Sequence, residues 1–188
     1  MGGPTLLVGH SYGGAVISGA GHASNVVGLV YVAGFAPEEG ESLQSILAGA
    51  VLPPGAASIG PAFDDGFLWH SQDTFHDSFC RDLDDTESLV MATTQRPLAR
   101  RCYHDHTGEP AWKTKQSWYH VSTQDRMIRS ETQRWMAERM HARETIELAT
   151  SHASFATRPT EVLELINHAA AAVMGTSNGC PAVRAHRV

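Results

Sequence analysis

A serine flanked by glycines lies close to the start of the sequence, in the segment Gly-His-Ser-Tyr-Gly at residues 9–13. The segment fits the pattern G-x-S-x-G and separates an apolar, strand-like run (5–8) from a run of small residues (13–20) that can form a helix. Glycines allow the tight turn that such a junction needs, and the turn projects the serine hydroxyl away from the sheet. The pattern therefore predicts that Ser11 is a nucleophile.

A serine hydroxyl is a weak nucleophile, so it needs a base and a group that orients the base. Asp125 follows the predicted strand 117–123, and His152 lies within three residues of the predicted strand 145–149. The carboxyl ends of parallel strands meet at one edge of a sheet, where ligands bind. We therefore expect Asp125 and His152 to lie close to Ser11.

Other assignments of these roles stay open at this stage. The chain has 11 histidines, and position alone selects His152 from the rest. His120 falls within a predicted strand and His141 at a helix end, so both are expected to be structural. Asp105 is a rival to Asp125 but belongs to a different region of the chain. A plain glycine-rich turn at Ser11 is the remaining alternative.

The elements that must position these residues follow from hydrophobic patterning. The run 26–32 is continuously apolar and rich in β-branched residues, as expected for a parallel strand covered on both faces. Helices are predicted at 131–140 and 160–173. Strands separated by helix-length segments favour right-handed crossovers, so the predicted fold is α/β, with a parallel sheet and flanking helices.

The region 37–110 has a different character and is too long for a loop without structure of its own. It predicts a helical cap over the carboxyl edge of the sheet, with Asp84 capping one helix and Pro97 in the first turn of another. Its aromatic residues are expected mainly in the core of this lid, although some could line an apolar pocket: Phe63, Phe67, Trp69, Phe75 and Phe79.

These boundaries give one domain at 1–174 and a tail at 175–188 that is expected to be disordered. The core of the domain combines 1–36 with 111–174, and the cap is an insertion at 37–110. A chain of 188 residues is long enough for one buried core and too short for two typical domains.

Composition narrows the function classes. The formal net charge is −6 and the basic residues are scattered, which argues against a nucleic-acid partner. The sequence has no apolar run of membrane-spanning length and no signal peptide, so we expect no membrane association and a cytoplasmic location. The three cysteines are widely spaced, which favours free thiols.

Residues 102–106 include Cys102, His104, Asp105 and His106, which could suggest a metal site. Alternating ligands without a second cluster are weak evidence, and a hydrated lid segment explains them better. We expect neither a metal ion nor an organic cofactor.

Several segments together resemble the α/β-hydrolase superfamily, specifically the small-esterase branch with plant methyl-ester esterases and hydroxynitrile lyases. The resemblance covers roughly residues 4–173 and is carried by GHSYGG (9–14), YVAGFAP (31–37), Gln-Arg-Pro (95–97), SWYHVSTQDRMI (117–128) and SHASF (151–155). It implies that Ser11 is the nucleophile, His152 the general base and then acid, and Asp125 its orienting carboxylate. The backbone N–H of Tyr12 would be one oxyanion donor.

The resemblance also implies a substrate: a small carboxylic ester, cleaved through an acyl-enzyme. His10, Phe35 and Phe155 are candidates for shaping its pocket. A hydroxynitrile lyase is an alternative, and such lyases also use a cap lysine, for which Lys113 and Lys115 are candidates. A non-catalytic small-molecule-binding protein, or a fragment of the same fold, is another.

Members of this superfamily carry several strands before the nucleophile turn, and the loop after the third supplies a second oxyanion N–H. This sequence is expected to lack them. Losing one such donor costs about 2.7 to 4 kcal/mol of transition-state stabilisation, so impaired activity is predicted. The run 5–8 would then be an exposed edge strand that could pair with another copy of the chain.

Overall fold

The computed structural model describes residues 2–61 and 66–175. Its strands are β1 (Thr5–His10), β2 (Val26–Val32), β3 (Ile59–Pro61), β4 (Phe67–His70), β5 (Leu98–Ala99), β6 (Gln116–Ser122) and β7 (Glu144–Leu148). The main sheet is parallel and has the order β1-β2-β6-β7. The predicted α/β architecture is therefore confirmed.

The helices connect these strands and cover the sheet. They are α1 (Tyr12–Ala20), α2 (Leu43–Ala48), α3 (Gln72–Phe79), α4 (Asp85–Thr94), α5 (Arg101–His104), α6 (Ser130–Arg139), α7 (Ser154–Thr157) and α8 (Pro159–Gly175). Short 3₁₀ turns occur at Pro54–Ser58 and Ala111–Lys113. In the described ranges, no helix combines the length and apolar character needed to cross a bilayer.

Strand β2 is buried along its length because both of its faces are covered. Leu29 and Tyr31 belong to the core cluster that includes residues of α1 and α6. Val30 and Val32 alternate with them and pack in a second cluster against α8. The continuously apolar pattern of this strand follows directly from that double coverage.

The segment between β2 and β6 lies over the carboxyl end of the sheet and contains α2 to α5. It also contains a small antiparallel sheet of order β3-β4-β5, which the expectation of a purely helical lid missed. These strands are two to four residues long, too short to show a period-two pattern.

Two predicted helix signals within the lid have opposite outcomes. Asp84 caps α4, and its carboxylate accepts a hydrogen bond from the N–H of Glu87 at 2.8 Å. The prediction that Pro97 begins a helix is wrong, because it directly precedes strand β5. Proline favours an extended residue before it as readily as it suits a helix start.

Some sequence predictions concern residues beyond those described. Phe63 lies within 62–65, and the predicted tail lies outside the described residues except for Gly175, which ends α8. Cys80 and Cys102 are free thiols, whereas Cys180 falls in the undescribed C-terminal stretch.

Candidate active site

Ser11 occupies the turn between β1 and α1 in a backbone conformation that non-glycine residues rarely adopt. Its φ is 53° and its ψ −122°. The carbonyl oxygen of Ser11 accepts hydrogen bonds from the N–H groups of Gly14 and Phe35, both at 3.0 Å. These contacts hold the turn against the loop after β2, so a strained backbone is maintained by its surroundings.

The glycines around Ser11 differ in what they contribute. A Cβ atom on Gly9 would meet the backbone of Gly13, and one on Gly14 would meet the backbone of Phe35, both closer than the 3.0 Å that real Cβ atoms respect. A Cβ on Gly13 would meet nothing within 4 Å. Glycine is therefore sterically required at positions 9 and 14, whereas position 13 has room for a side chain.

Asp125 lies in the loop after β6 and is held by four hydrogen bonds. Its Oδ1 accepts from the N–H groups of Met127 at 2.6 Å and Ile128 at 3.0 Å. Its Oδ2 accepts from Nε2 of Gln133 at 2.8 Å and from Nδ1 of His152 at 2.6 Å. An ionised carboxylate is an acceptor only, so this set of donors fixes its orientation.

His152 lies in the loop after β7 with its side chain only 1% exposed. Because its Nδ1 donates to Asp125, its Nε2 carries the lone pair, which is the tautomer a general base needs. The loop itself is anchored to the lid, since the N–H of Ser151 donates to the carboxylate of Asp82 at 2.8 Å.

His10, at the end of β1, stabilises the same loop. Its Nε2 donates to the carbonyl oxygen of His152 at 2.8 Å, and the centroids of the two rings are 4.6 Å apart. Burial, and then the proximity of His152, lower the pKa of His10 to about 3, so its ring is neutral near pH 7. A neutral imidazole has one donor nitrogen, and here that donor holds the backbone of His152.

A cavity of about 240 Å³ lies between the sheet edge and the lid, and both Ser11 and His152 line it. The rest of its wall is mainly apolar and includes Phe35, Leu68, Phe79, Tyr103 and Met127. A larger open groove of about 540 Å³ lies between α2 and α6 and contains none of the three predicted catalytic residues. The smaller cavity is therefore the candidate active site, because Ser11 and His152 line it.

The structure brings Ser11, Asp125 and His152 to one edge of the sheet, but one expected hydrogen bond between them is not formed. Among the hydrogen bonds of the described residues, none joins the Ser11 hydroxyl to the ring of His152. In structures without substrate such bonds are commonly long or poorly aligned, and they tighten when substrate binds. Tyr12 begins α1, so its N–H has no acceptor within the helix and remains available to an oxyanion.

The three predicted pocket residues have different positions. Phe35 lines the cavity, whereas His10 and Phe155 do not. Phe155 is 41% exposed and packs against the ring of His10, with centroids 4.8 Å apart.

Sequence reasoning missed several residues of this site. Gln133 bridges Asp125 to the N–H of Ser122, and its position in the first turn of the predicted helix 131–140 gave no signal of that role. His70 and Phe79 reach the cavity from the lid. The lid aromatics were a partial signal for Phe79, but no pattern distinguished His70.

The alternative ligand and lysine candidates lie elsewhere. The side chains of Cys102, His104 and His106 face separate partners, namely Tyr12, Gln44 and the carbonyl of Gly40. Within 2–61 and 66–175, no three His, Cys, Asp or Glu side chains gather in a way that would hold a metal ion.

Neither candidate lysine lines the cavity. The ammonium of Lys113 is 2.5 Å from the carboxylate of Glu38. That of Lys115 donates to the carbonyl of Val26 at 2.8 Å, at the opposite end of the sheet from Ser11.

Known proteins resemble the chain both in sequence and in fold. The profile of the Alpha/beta hydrolase family matches residues 1–165. A carbendazim-hydrolysing esterase from Nocardioides sp. (strain SG-4G) is 45% identical over 56 residues, which are 29% of this chain and 23% of that esterase. The match thus spans less than a quarter of that relative.

Solved structures resemble the chain over most of its length. The pyrethroid hydrolase PytH superposes with a TM-score of 0.77 at 20% identity, covering 93% of this chain and 73% of that one. A methylesterase from Arabidopsis superposes with a TM-score of 0.71 at 17% identity, covering 90% and 70%. At these identities the likeness establishes a shared fold.

Proposed function

Because the chain belongs to the alpha/beta hydrolase family, we propose that it is a serine hydrolase that cleaves small carboxylic esters through an acyl-enzyme. The observation that carries this proposal is the buried bond from His152 Nδ1 to Asp125 Oδ2, at 2.6 Å, beside a cavity that Ser11 also lines. Esterases among the similar proteins support the choice of an ester as substrate.

In the first half of the proposed reaction, Oγ of Ser11 attacks the ester carbonyl while Nε2 of His152 removes its proton. Negative charge develops on the carbonyl oxygen beside the amino end of α1, where the N–H of Tyr12 donates to it. The C–O bond to the alcohol then breaks, and the imidazolium of His152 returns the proton to the departing alcohol.

In the second half, water takes the place of the alcohol. Nε2 of His152 removes a proton from this water as its oxygen attacks the acyl-enzyme carbonyl. The bond to Ser11 Oγ breaks, the proton returns to that oxygen, and the carboxylic acid leaves. Throughout, the four hydrogen bonds on Asp125 keep the imidazole in one orientation.

The proposal is tested with a fluorophosphonate probe and p-nitrophenyl acetate. Both need an activated serine, so we expect labelling and hydrolysis by the wild-type chain and neither by Ser11→Ala. Ser24→Ala, which changes an exposed serine beyond α1, is the matched control and should behave as wild type. Hydrolysis that survives Ser11→Ala would refute the proposal.

A second variant tests the role of the acid. In Asp125→Asn the side chain stays the same size, but an amide NH₂ group that can only donate a hydrogen bond replaces one carboxylate oxygen. Facing that group, Nδ1 of His152 would lose its proton, so the wrong tautomer of His152 is favoured. We expect kcat to fall by about 10³- to 10⁴-fold with little change in KM. A loss smaller than tenfold would remove Asp125 from the mechanism.

A non-catalytic binding protein of the same fold is the second candidate, and the missing bond between the Ser11 hydroxyl and His152 favours it. That candidate predicts that a small ester or acid binds in the cavity while the fluorophosphonate leaves Ser11 unlabelled. The lyase alternative loses support, because the ammonium groups of Lys113 and Lys115 face Glu38 and Val26 instead of the cavity.

A further inference from the structure

His70 reaches the catalytic cavity from the lid, at the end of β4. The side chain of Gln95 makes two hydrogen bonds to the backbone of His70. The N–H of His70 donates to Oε1 of Gln95 at 3.1 Å, and Nε2 of Gln95 donates to the carbonyl of His70 at 3.0 Å. Its ring meets Phe75 and Phe79 edge-on, with centroids 5.8 and 5.5 Å apart. The ring position is therefore fixed before any ligand arrives.

The hydrogen bonds around the ring also fix which nitrogen is protonated. Oγ of Ser58 donates its single proton to the carbonyl of Gly55 at 2.6 Å. The same oxygen lies 3.1 Å from Nδ1 of His70, so it must accept there, and Nδ1 must carry the hydrogen. Nε2 of His70 is then left with a lone pair and no proton.

Nothing in the described residues satisfies that lone pair. Nε2 of His70 has no hydrogen-bond partner among them, although the ring is half-buried in the cavity wall. Burial, and then the proximity of His152, lower the pKa of His70 to about 4. Near neutral pH the side chain is thus an uncharged acceptor in a largely apolar cavity.

We propose that His70 Nε2 accepts a hydrogen bond from the substrate, so that the preferred esters carry an N–H or O–H donor on a small, flat aromatic group. The inference rests on the proposed esterase function. Flat aromatic groups fit because Phe35, Phe79 and Tyr103 line the cavity. Its volume of about 240 Å³ is below the range typical of drug-sized ligands, which limits the group to about one ring.

Such an acceptor selects substrates because burying it without a hydrogen bond costs free energy. An ester without a donor would cover Nε2 of His70 and remove it from water without offering a replacement bond. An ester with a donor in reach completes the bond within a cavity that is poor in competing water. His70 would therefore discriminate between substrates of the same size.

Two esters of nearly equal size provide the test. Methyl pyrrole-2-carboxylate carries a ring N–H, and methyl thiophene-2-carboxylate does not; kcat/KM for each is normalised by its rate of hydroxide-catalysed hydrolysis. We expect wild type to prefer the pyrrole ester by about 3- to 10-fold, and His70→Phe to abolish that preference, whatever its effect on turnover in general. An equal loss on both esters in His70→Phe would mean a merely structural role and overturn the inference.

Two further variants separate hydrogen bonding from ring packing. Ser58→Ala removes the partner that keeps the proton on Nδ1, so His70 can present a donor instead of an acceptor, and the preference should weaken. His70→Gln keeps an acceptor oxygen and should restore part of it. An unchanged preference in both His70→Phe and Ser58→Ala would contradict the assignment.

Binding to Ser11→Ala distinguishes failure of this inference from failure of the proposed function. Calorimetry should show tighter binding of the pyrrole ester than of the thiophene ester by the same factor, and the Ser11→Ala, His70→Phe double variant should lose the difference. If the pyrrole ester binds more tightly but wild type hydrolyses neither ester, the proposed esterase function is refuted and the proposed hydrogen bond to His70 Nε2 is retained. If both esters are hydrolysed at equal rates, or if neither ester binds, the proposed hydrogen bond to His70 Nε2 is overturned.

Discussion

Ser11, the proposed nucleophile, has a strained backbone. A non-glycine residue at φ 53° and ψ −122° costs about 1 to 3 kcal/mol, and the hydrogen bonds from Gly14 and Phe35 to its carbonyl hold it there. The strained turn places Ser11 in the cavity wall, so stability and the proposed activity conflict at this position. Substitutions that differ only in backbone freedom can separate the two.

We predict that Ser11→Gly and Ser11→Ala are both inactive but differ in stability. Glycine relieves the strain at positive φ, and its extra freedom in the unfolded chain offsets only part of that gain. Ser11→Gly should therefore have a free energy of unfolding about 1 kcal/mol above that of Ser11→Ala, measured by urea denaturation. Equal values would show that the turn at Ser11 is not strained.

At the level of elements, the approach of α1 to the loop after β2 sets the geometry of the turn at residues 9–13, which we call the elbow. The small residues of α1 allow this approach, but only one of two adjacent glycines is needed for it. A Cβ on Gly14 would collide with backbone atoms of Phe35, which cannot move aside cheaply, whereas Gly13 faces open space.

The pair Gly13→Ala and Gly14→Ala tests this difference with the same chemical change. Gly13→Ala should leave folding intact and stabilise α1 by up to about 1 kcal/mol, because alanine is the better helix former. Gly14→Ala should lower the free energy of unfolding by about 1 to 3 kcal/mol and reduce ester hydrolysis as the elbow shifts. Thermal unfolding and an activity assay measure both, and equal effects of the two substitutions would contradict the packing argument.

At the scale of the whole molecule, full or partial burial keeps three histidines around the site neutral. Burial is the main cause in each case: it lowers the pKa of His10 to about 3 and the pKa values of His70 and His120 to about 4. In the unfolded chain each would titrate near its ordinary pKa of 6.5. Between these values the unfolded chain binds more protons than the folded one.

We therefore predict that the free energy of unfolding falls as the pH is lowered from about 6.5 toward 4. Each histidine that stays neutral in the fold contributes a slope of up to about 1.4 kcal/mol per pH unit, less for the half-buried His70. Urea denaturation at pH 7, 6 and 5 measures the slope. His10→Gln keeps a donor and cannot titrate, so it should flatten the dependence; an unchanged slope would show that His10 is protonated in the folded chain.

Strand β1 is an edge of the main sheet, because β2 is its sole strand neighbour among residues 2–61 and 66–175. Its Val8 is 45% exposed, and an apolar edge with unpaired backbone groups can pair with another strand. We propose that copies of the chain associate through this edge.

Association through β1 predicts that Val8→Lys shifts the chain toward the monomer in sedimentation measured over a range of concentrations. Leu163→Lys, which removes a comparably exposed apolar residue from α8, is the matched control and should leave association unchanged. If the two variants sediment alike, β1 is not the contact.

The sequence alone determined the sheet and the order of the site residues along the chain. Long apolar runs are read from local hydrophobicity, so β2 was predicted with the bounds it has, 26–32. The elbow at Ser11, and the loops carrying Asp125 and His152, followed because parallel strands bring their carboxyl ends to one edge. Each of these inferences depends on patterns that are local or that repeat along the chain.

Only the tertiary structure decided what surrounds those residues. The short lid strands carry too little pattern to be recognised, and Gln133 and His70 reach the site through contacts with residues distant in sequence. Which nitrogen of His70 holds a proton depends on Ser58 and Gly55, since hydrogen-bond geometry settles a tautomer and composition does not. The chemistry we propose for Ser11 was thus predicted from short motifs, whereas the selectivity we infer depends on packing between separate segments.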